Sequence, residues 1–308
     1  MRVLIAGGSG LIGRELTSSL VANRDEVIIL SRNPQKVLGL PPGASAIQWD
    51  GKTIQGWVKE IEQTDAIVNL TGENLSGEGL MPSRWTKDRK LRLVQSRVNS
   101  GIVLSKAVEQ ASHKPSIFIQ ASGVGYYGTR QEKVLTEEDE AGDDFSAKLC
   151  LEWEASSKPV ETLGVRRMVT RNGVVLSTNG GALRPMLLPY KMYVGGPIGS
   201  GRQVHSWIHI ADEISAIQFL IKNDNLQGVY NLTSPQPVTN DEFGRTIGKV
   251  MGRPHYFPVP RLAMQLAFGE VASMLLEGQR AIPKKLIDAG FQFKFPFLSD
   301  ALKNLLIE

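Results

Sequence analysis

Val3-Leu4-Ile5-Ala6-Gly7-Gly8-Ser9-Gly10-Leu11-Ile12-Gly13, near the start of the chain, decides how the rest is read. The apolar run Val3 to Ala6 has the length and continuity of a buried strand. A helix candidate, Leu11 to Asn23, follows the glycines directly. Between two such elements each glycine has a task. The first permits a tight turn, the second lets a pyrophosphate approach the backbone, and the third lets the helix pack close to the strand. Phosphates then rest on free N–H groups at the positive end of a helix dipole, so Gly7, Ser9, Gly10, Leu11, Ile12 and Gly13 are candidate phosphate contacts. A bare glycine triplet says little; the strand–turn–helix context gives it weight.

Working outward, the pattern repeats. Val3 to Ala6, Glu26 to Leu30, Ala66 to Leu70, Ser116 to Gln120, Val169 to Leu176 and Val229 to Leu232 read as strands. They are nearly continuous in apolar character, as parallel strands covered on both faces should be. Helix candidates lie between them at Lys87 to Gln110 and Lys148 to Lys158. Such alternation predicts an α/β fold, a doubly wound parallel sheet of the Rossmann kind. After Leu176 the chain turns glycine- and proline-rich up to Arg202, and from Asn240 short helices and a Phe/Pro-rich segment, Phe291 to Phe297, suggest a smaller lobe. We therefore expect a nucleotide-binding domain over 1–176, its sheet completed by about 204–233, and a C-terminal α/β substrate lobe from 177–203 and 234–308.

The second strand is followed by Ser31-Arg32-Asn33-Pro34. A site for NAD places Asp or Glu here, roughly 20 residues beyond the glycines, to bind a ribose hydroxyl. A carboxylate would repel a 2′-phosphate, whereas Arg forms charge-assisted bonds to it. Ser31 and Arg32 therefore predict NADP(H) as the cofactor. Arg14 adds charge nearby or is an exposed helix residue. Asp50, after the possible strand Ile47-Gln48-Trp49, is an acceptor for an adenine amino group or a plain turn residue. Asn69-Leu70-Thr71-Gly72 ends the fourth strand with small residues over which a cofactor can lie.

Composition supports an ordinary globular chain. Of 308 residues, 42% are hydrophobic and 21% charged, which excludes a disordered or collagenous protein. Lys and Arg exceed Asp and Glu by 35 to 31, a net charge of +4, with no dense basic stripe, so no nucleic acid partner is expected. The single cysteine, Cys150, excludes an internal disulfide and reads as a small buried group. The N-terminal stretch resembles neither a secretory nor a transit peptide, and no run of 18 apolar residues exists. The expectation is a cytoplasmic protein with a small-molecule substrate and no membrane association.

At these residues the sequence resembles the extended short-chain dehydrogenase/reductases, through the glycine loop, the Asn-Leu-Thr-Gly strand end and Ser122-Gly-Val-Gly-Tyr-Tyr-Gly128. Gly72-Glu73-Asn74, Trp85, Ser96-Arg97-Val98, Gly195 to Gly201, Ser206-Trp-Ile-His-Ile210 and Leu276-Glu-Gly-Gln279 are similar to one atypical group, the YfcH-like branch of the NAD-dependent epimerase/dehydratase family. Some of that branch are named as homologues of the cell-division inhibitor SulA, a name from which no mechanism follows. The resemblance spans essentially the whole chain. It implies an NADP(H)-binding Rossmann domain with Ser31 and Arg32 at the 2′-phosphate. Leu70, Thr71, Gly72, Arg97 and Val175 fall at cofactor-lining positions, and Arg92 at a further polar contact. It also implies a possible homodimer through the helices at Lys87 to Gln110 and Lys148 to Lys158.

The same resemblance locates the chemistry. Short-chain dehydrogenases pair a Ser with a Tyr and a Lys four residues later, the Lys lowering the Tyr pKa so that Tyr can shuttle a proton. Ser122 fits the Ser role, or satisfies a strand-end backbone group. The helix that should carry Tyr and Lys reads Asp144-Phe145-Ser146-Ala147-Lys148-Leu149. Phe145 stands in the Tyr place and Leu149 in the Lys place, while Lys148 is about 100° around the helix. Tyr126 and Tyr127 are candidate replacement acids and Glu73 a candidate base. Arg202 and His209 are candidate substrate contacts, each with a structural alternative. Asp212 reads as a helix N-cap. The histidines lack metal-ligand spacing, so no metal is predicted. These residues support an oxidoreductase or epimerase acting on a small carbonyl or hydroxyl compound with a nonstandard acid, or a weakly catalytic sensor of NADP(H).

Overall fold

Short β-branched runs that are apolar on both faces form the interior of the protein. The computed structural model describes residues 1–307 except Glu78 and Leu80, and of Gln131 and Glu132 the backbone alone. In chain order the strands are β1 (Arg2–Ala6), β2 (Glu26–Ser31), β3 (Ala44–Gln48), β4 (Ala66–Asn69), β5 (Ile117–Gly123), β6 (Arg130–Leu135), β7 (Arg166–Asn172), β8 (Val174–Leu176), β9 (Val204–His205), β10 (Trp207–His209), β11 (Gly228–Leu232), β12 (Val238–Thr239) and β13 (Gln279–Ala281). The helices are α1 (Leu11–Ala22), α2 (Lys87–Gln110), α3 (Phe145–Ser156), α4 (Leu183–Lys191), α5 (Ile210–Lys222), α6 (Asn240–Met251), α7 (Arg261–Phe268), α8 (Ser273–Leu276), α9 (Lys284–Asp288) and α10 (Leu298–Leu306).

Seven strands make one sheet in the order β11-β7-β5-β4-β1-β2-β3, every neighbouring pair parallel. Side chains alternate across it. Val3, Ile5, Ile29 and Ile119 pack under α1 and α5, while Leu4, Ala6, Ile67 and Phe118 pack under α2. Strand order reverses at β1, which has β2 on one side and β4 on the other. That divergence opens a crevice at the carboxyl ends of β1 and β4, where open α/β sheets take ligands.

The structure corrects several element boundaries. Val169 to Leu176 is not one strand. A Cβ at Gly173 would lie 2.6 Å from the Ser206 carbonyl oxygen, so glycine lets the chain leave the sheet there, and β8 pairs with β10 instead. β11 completes the main sheet, whereas β9 pairs with β12 outside it. α3 begins at Phe145, capped by Asp144, whose Oδ1 accepts from the Ala147 N–H at 2.8 Å. α5 is capped by His209 rather than Asp212: Nδ1 of His209 accepts from Ala211 N–H at 3.0 Å. Asp212 instead accepts the N–H groups of Lys294 and Phe295 at 2.7 and 2.9 Å, tying the C-terminal segment down.

Two apolar clusters sit beyond the sheet. One joins Leu183 and Leu187 of α4, Trp207, Phe243 of α6 and Leu298 of α10. The other joins Trp85 and Leu93 to Met264 and Phe268 of α7, with Leu75 and Phe145 packed against it.

Candidate active site

The crevice begins with the glycine turn. Gly7 has φ +83°, and a Cβ there would stand 2.8 Å from the Leu70 carbonyl, so no other residue fits where β1 passes β4. The Gly10 N–H donates to Gly7 O at 3.0 Å and closes the turn. Gly10 is also the N-cap of α1, with extended backbone and no side-chain cap, and the first turn carries no carboxylate. The N-terminal amides of this helix therefore face outward uncapped, the chemistry a diphosphate requires. A Cβ on Gly10 would meet only Gly7 O, at 3.3 Å, whereas one on Gly13 would stand 2.5 Å from Gly8 Cα. The second glycine thus leaves the approach open, and the third seats the helix on the turn.

Two segments flank this turn. Arg14 Nε donates to Ser9 O at 3.0 Å and its Nη1 to Leu38 O at 3.2 Å, bracing the glycine loop against the loop after β2. On the other side, a Cβ on Gly181 would lie 3.0 Å from the Leu11 side chain and 3.5 Å from Val175 O, so the segment after β8 lies over the start of α1. Asn179 fastens it by donating to Glu15 at 3.0 Å. Val175 and Leu11, singled out separately in the sequence, are brought together here.

At the end of β2, Ser31 Oγ accepts from Asn33 N–H at 3.2 Å, and the Arg32 carbonyl accepts from Gln48 at 2.7 Å. The Arg32 side chain is exposed and has no partner among the described residues. No Asp or Glu occurs between Glu26 and Asp50. Asp50 is committed to its own turn, accepting from the N–H groups of Lys52 and Thr53, both at 2.8 Å, and from the Thr53 hydroxyl.

Beyond β4 the loop is clamped from α2. Asn69 Nδ2 donates to Gln120 at 3.0 Å, and the Thr71 hydroxyl donates to Asn69 Oδ1 at 2.6 Å. Ser96 Oγ accepts the Glu73 N–H, and Arg97 Nη2 donates to the Glu73 carbonyl, both at 3.0 Å. Gly72 allows this, since a Cβ there would be 3.0 Å from the Arg97 guanidinium carbon. Arg97 lies 4.9 Å over the Trp153 ring, and burial pulls its pKa down to about 10. Its observed work is therefore on the loop backbone. The Glu73 carboxylate projects from this clamped backbone, half-buried, with Arg92 Nε 3.6 Å away.

The expected acids turn out differently. Ser122 is buried and its hydroxyl donates to Glu154 Oε1 at 2.7 Å. Glu154 in turn holds Arg171 through two bonds, 2.9 and 3.1 Å. Arg171 also donates to Tyr127 Oη at 3.1 Å, and Tyr127 donates to Asn231 at 2.7 Å. Tyr127 is fully buried, and that desolvation pushes its pKa up to about 12. Its hydroxyl is held in the interior between Arg171 and Asn231, where it braces β5 against β7 and β11. Tyr126 is half-exposed, with the Arg171 guanidinium 3.3 Å from its ring centroid. Glu154 and Arg171 were missed in the sequence reading. The available signal was an arginine inside the run Val169 to Leu176, read as a buried strand.

Phe145 packs edge-on to Trp85 at 5.0 Å, with the Lys90 ammonium 4.8 Å over its ring. Leu149 is buried and Lys148 is exposed. The helix is regular here, so no register shift brings Lys148 inward. Cys150 is buried, its thiol pushed up to about 11 by that burial. His209 caps α5; it is 3% exposed, its ring lies tilted against Phe295 with centroids 4.0 Å apart, and desolvation lowers its pKa to about 4. Arg202 is exposed at the end of the Gly195–Gly201 loop.

Comparison with known proteins agrees with this geometry. Residues 3–233 match the NAD dependent epimerase/dehydratase family, and residues 259–305 match a domain of unknown function, DUF1731. Epimerase family protein YfhF of Bacillus subtilis is 37% identical over 311 residues, covering 100% of this chain and 99% of its own. Epimerase family protein Mb2239 of Mycobacterium bovis is 41% identical over 301 residues, 97% and 96% of the two chains. The crystal structure of human epimerase family protein SDR39U1 with NADPH superposes with a TM-score of 0.86 at 36% identity, covering 99% of each chain. With a glycine turn at its switch point and these relatives along its whole length, the chain belongs to the NAD dependent epimerase/dehydratase family.

Proposed function

We propose that the chain binds NADP(H) across the carboxyl ends of β1 and β4 and presents it to a small carbonyl or hydroxyl compound. The observation that carries this reading is the uncapped first turn of α1 beside the unpartnered Arg32. Gly7, Ser9, Gly10, Leu11, Ile12 and Gly13 would hold the diphosphate, with Ser31 and Arg32 at the 2′-phosphate. Leu70, Thr71 and Val175 would line the crevice. The NADPH of the human SDR39U1 structure supports the same choice. When bound, this cofactor supplies or accepts a hydride.

The chain's own residues must then handle the proton. Phe145 has no proton to give, and the Tyr127 and Ser122 hydroxyls are buried in bonds to Asn231 and Glu154, which leaves the half-exposed Tyr126 and Glu73. Glu73 is the group whose backbone is fixed at both its N–H and its carbonyl while its carboxylate stays half-exposed beside the crevice. In this reading Glu73 moves the proton and Ser122 orients the substrate through its lone pairs. Arg202 serves an anionic substrate group, and Arg92 makes a further polar contact to the cofactor. On its motifs we place the chain in the YfcH-like branch, and we pair α2 and α3 across a homodimer, which sedimentation would test.

One specific observation favours a second reading, an NADP(H)-responsive sensor with little turnover. Where the family pair would act, Phe145 is locked between Trp85 and Lys90 and Leu149 is buried. Incubation with NADPH and a panel of aldehydes and ketones separates the two. NADPH consumption that Glu73→Gln abolishes, with NADPH affinity unchanged, supports the enzyme. Tight NADPH binding with no consumption by the native chain supports the sensor.

A further inference from the structure

Apolar side chains from five segments meet beside Glu73. Leu75, Phe145, Ile198, Val259 and Leu275 are each half-buried, and all five pack against the one buried cluster that holds Trp85 and Leu276. Leu75 stands two residues beyond Glu73, and Ile198 stands four before Arg202. The apolar wall is therefore continuous with the two groups placed on the substrate above.

Its backbone is fixed at both ends. Trp85 Nε1 donates to the Leu75 carbonyl at 2.9 Å, and Arg89 Nη2 donates to it at 3.2 Å. The Trp85 ring then meets Phe145 edge-on, with centroids 5.0 Å apart. At the other end, the Ile198 N–H donates to Asn240 Oδ1 at 2.8 Å. Its carbonyl accepts from the Gly201 N–H at 3.0 Å and from Gln203 Nε2 at 2.9 Å. The same Nε2 donates to the Leu275 carbonyl at 2.8 Å, which holds Leu275 beside Ile198. Leu75 and Ile198 cannot withdraw without breaking these bonds.

Sugar hydroxyls call for several free donors and acceptors. The polar groups set among these side chains are committed or buried. Both carboxylate oxygens of Glu270 hold the Lys90 ammonium that lies over Phe145, each at 2.5 Å. Arg89 is buried and donates to the Asn74 and Leu75 carbonyls. Gln203 is 1% exposed, and Ser200 Oγ accepts from the Arg202 N–H at 3.2 Å. A hydroxyl laid against Leu75, Phe145 and Ile198 would lose its water and gain no partner there.

We infer that this wall takes the substituent on the reacting carbon, and that the substrate is an aldehyde or ketone, or the matching alcohol, bearing a branched aliphatic or aromatic group rather than a sugar. The inference rests on the preceding reading, in which the crevice binds NADP(H) and Glu73 stands at the reacting group.

Binding to the full chain saturated with NADP⁺, followed by saturation-transfer NMR titration, tests it without requiring turnover. The probes are benzyl alcohol, 3-methylbutan-1-ol, glycerol and UDP-glucose, and NADPH affinity is measured on every sample by fluorescence. Benzyl alcohol and 3-methylbutan-1-ol should bind at least about tenfold more tightly than glycerol or UDP-glucose. Ile198→Asn, and separately Leu75→Asn in its loop, should each weaken benzyl alcohol about tenfold, while Ile198→Val holds it within about threefold. A native chain that binds NADPH but not benzyl alcohol overturns this inference and leaves the cofactor reading standing. So does glycerol or UDP-glucose binding as tightly as benzyl alcohol, or benzyl alcohol binding that both asparagine substitutions leave unchanged. A chain that binds no NADPH overturns the cofactor reading and this inference with it.

Discussion

Replacing Gly13 with alanine pits local preference against packing. In a helix interior the change should gain about 1 kcal/mol from propensity alone. Here the new methyl would stand 2.5 Å from Gly8 Cα, 2.6 Å from Gly7 O and 2.8 Å from the Gly8 carbonyl carbon. All three are backbone atoms, so no side chain can swing aside. Ordinary carbon contacts begin near about 3.5 Å, so α1 must retreat by roughly 1 Å. Overpacking of this kind costs about 1–3 kcal/mol, which leaves a net loss on the order of 1 kcal/mol, opposite in sign to propensity. The retreat also carries the uncapped amides away from a diphosphate. Weakening one charge-assisted bond there should cost about 1.5–3 kcal/mol, roughly ten- to a hundredfold in NADPH affinity. Urea unfolding without cofactor and a fluorescence titration with NADPH read the two effects. A Gly13→Ala chain as stable as the native one and binding NADPH equally well would refute the close seating of α1 on the turn.

Three further outcomes follow from the polar interior. Glu154→Gln leaves the Arg171 guanidinium, 3% exposed, without its counter-charge and should cost about 3–5 kcal/mol in urea, against about 1 kcal/mol for Ser122→Ala. Rebuilding the family pair should fail at one end: Phe145→Tyr stays within about 1 kcal/mol of native, while Leu149→Lys, at a 3% exposed site, loses on the order of 3 kcal/mol or more by the same measurement. Glu213 is fully buried and burial raises its carboxyl to about 8, so the native state keeps a proton that the unfolded chain releases. Its contribution is therefore fully present below the ordinary carboxyl pKa of 4.5 and is lost as pH rises through 8. Glu213→Gln should match the native chain near pH 4 and exceed it in stability above pH 8; parallel stability curves for the two chains would contradict this.

The glycine turn was legible because its meaning is local: a strand, a turn and a helix within a dozen residues. The sheet was legible for a related reason, since strands buried on both faces are apolar without interruption. What failed depended on contacts distant in sequence. Gly173 lets the chain leave the sheet because Ser206 approaches it closely, and β3 begins three residues before its expected start. Asp212 looks like a cap by type, but the C-terminal segment claims its carboxylate and His209 takes the cap. Tyr127 carries the right phenol in the right motif. Its hydroxyl donates a hydrogen bond to Asn231, more than a hundred residues away, and no spacing rule reveals that. Phe145 was legible as a missing acid, whereas the clamp that α2 places on Glu73 appears only once Ser96 and Arg97 are seen beneath it.

The account turns on Arg32 standing where a carboxylate would exclude the extra phosphate. Paired calorimetric titrations of the native chain and of Arg32→Glu, with NADPH and with NADH in the same buffer, test it most directly. The native chain should prefer NADPH by about ten- to a hundredfold, and Arg32→Glu should lose that preference while still binding NADH. Equal affinity of the native chain for both nucleotides, or a preference for NADPH untouched by Arg32→Glu, would contradict it.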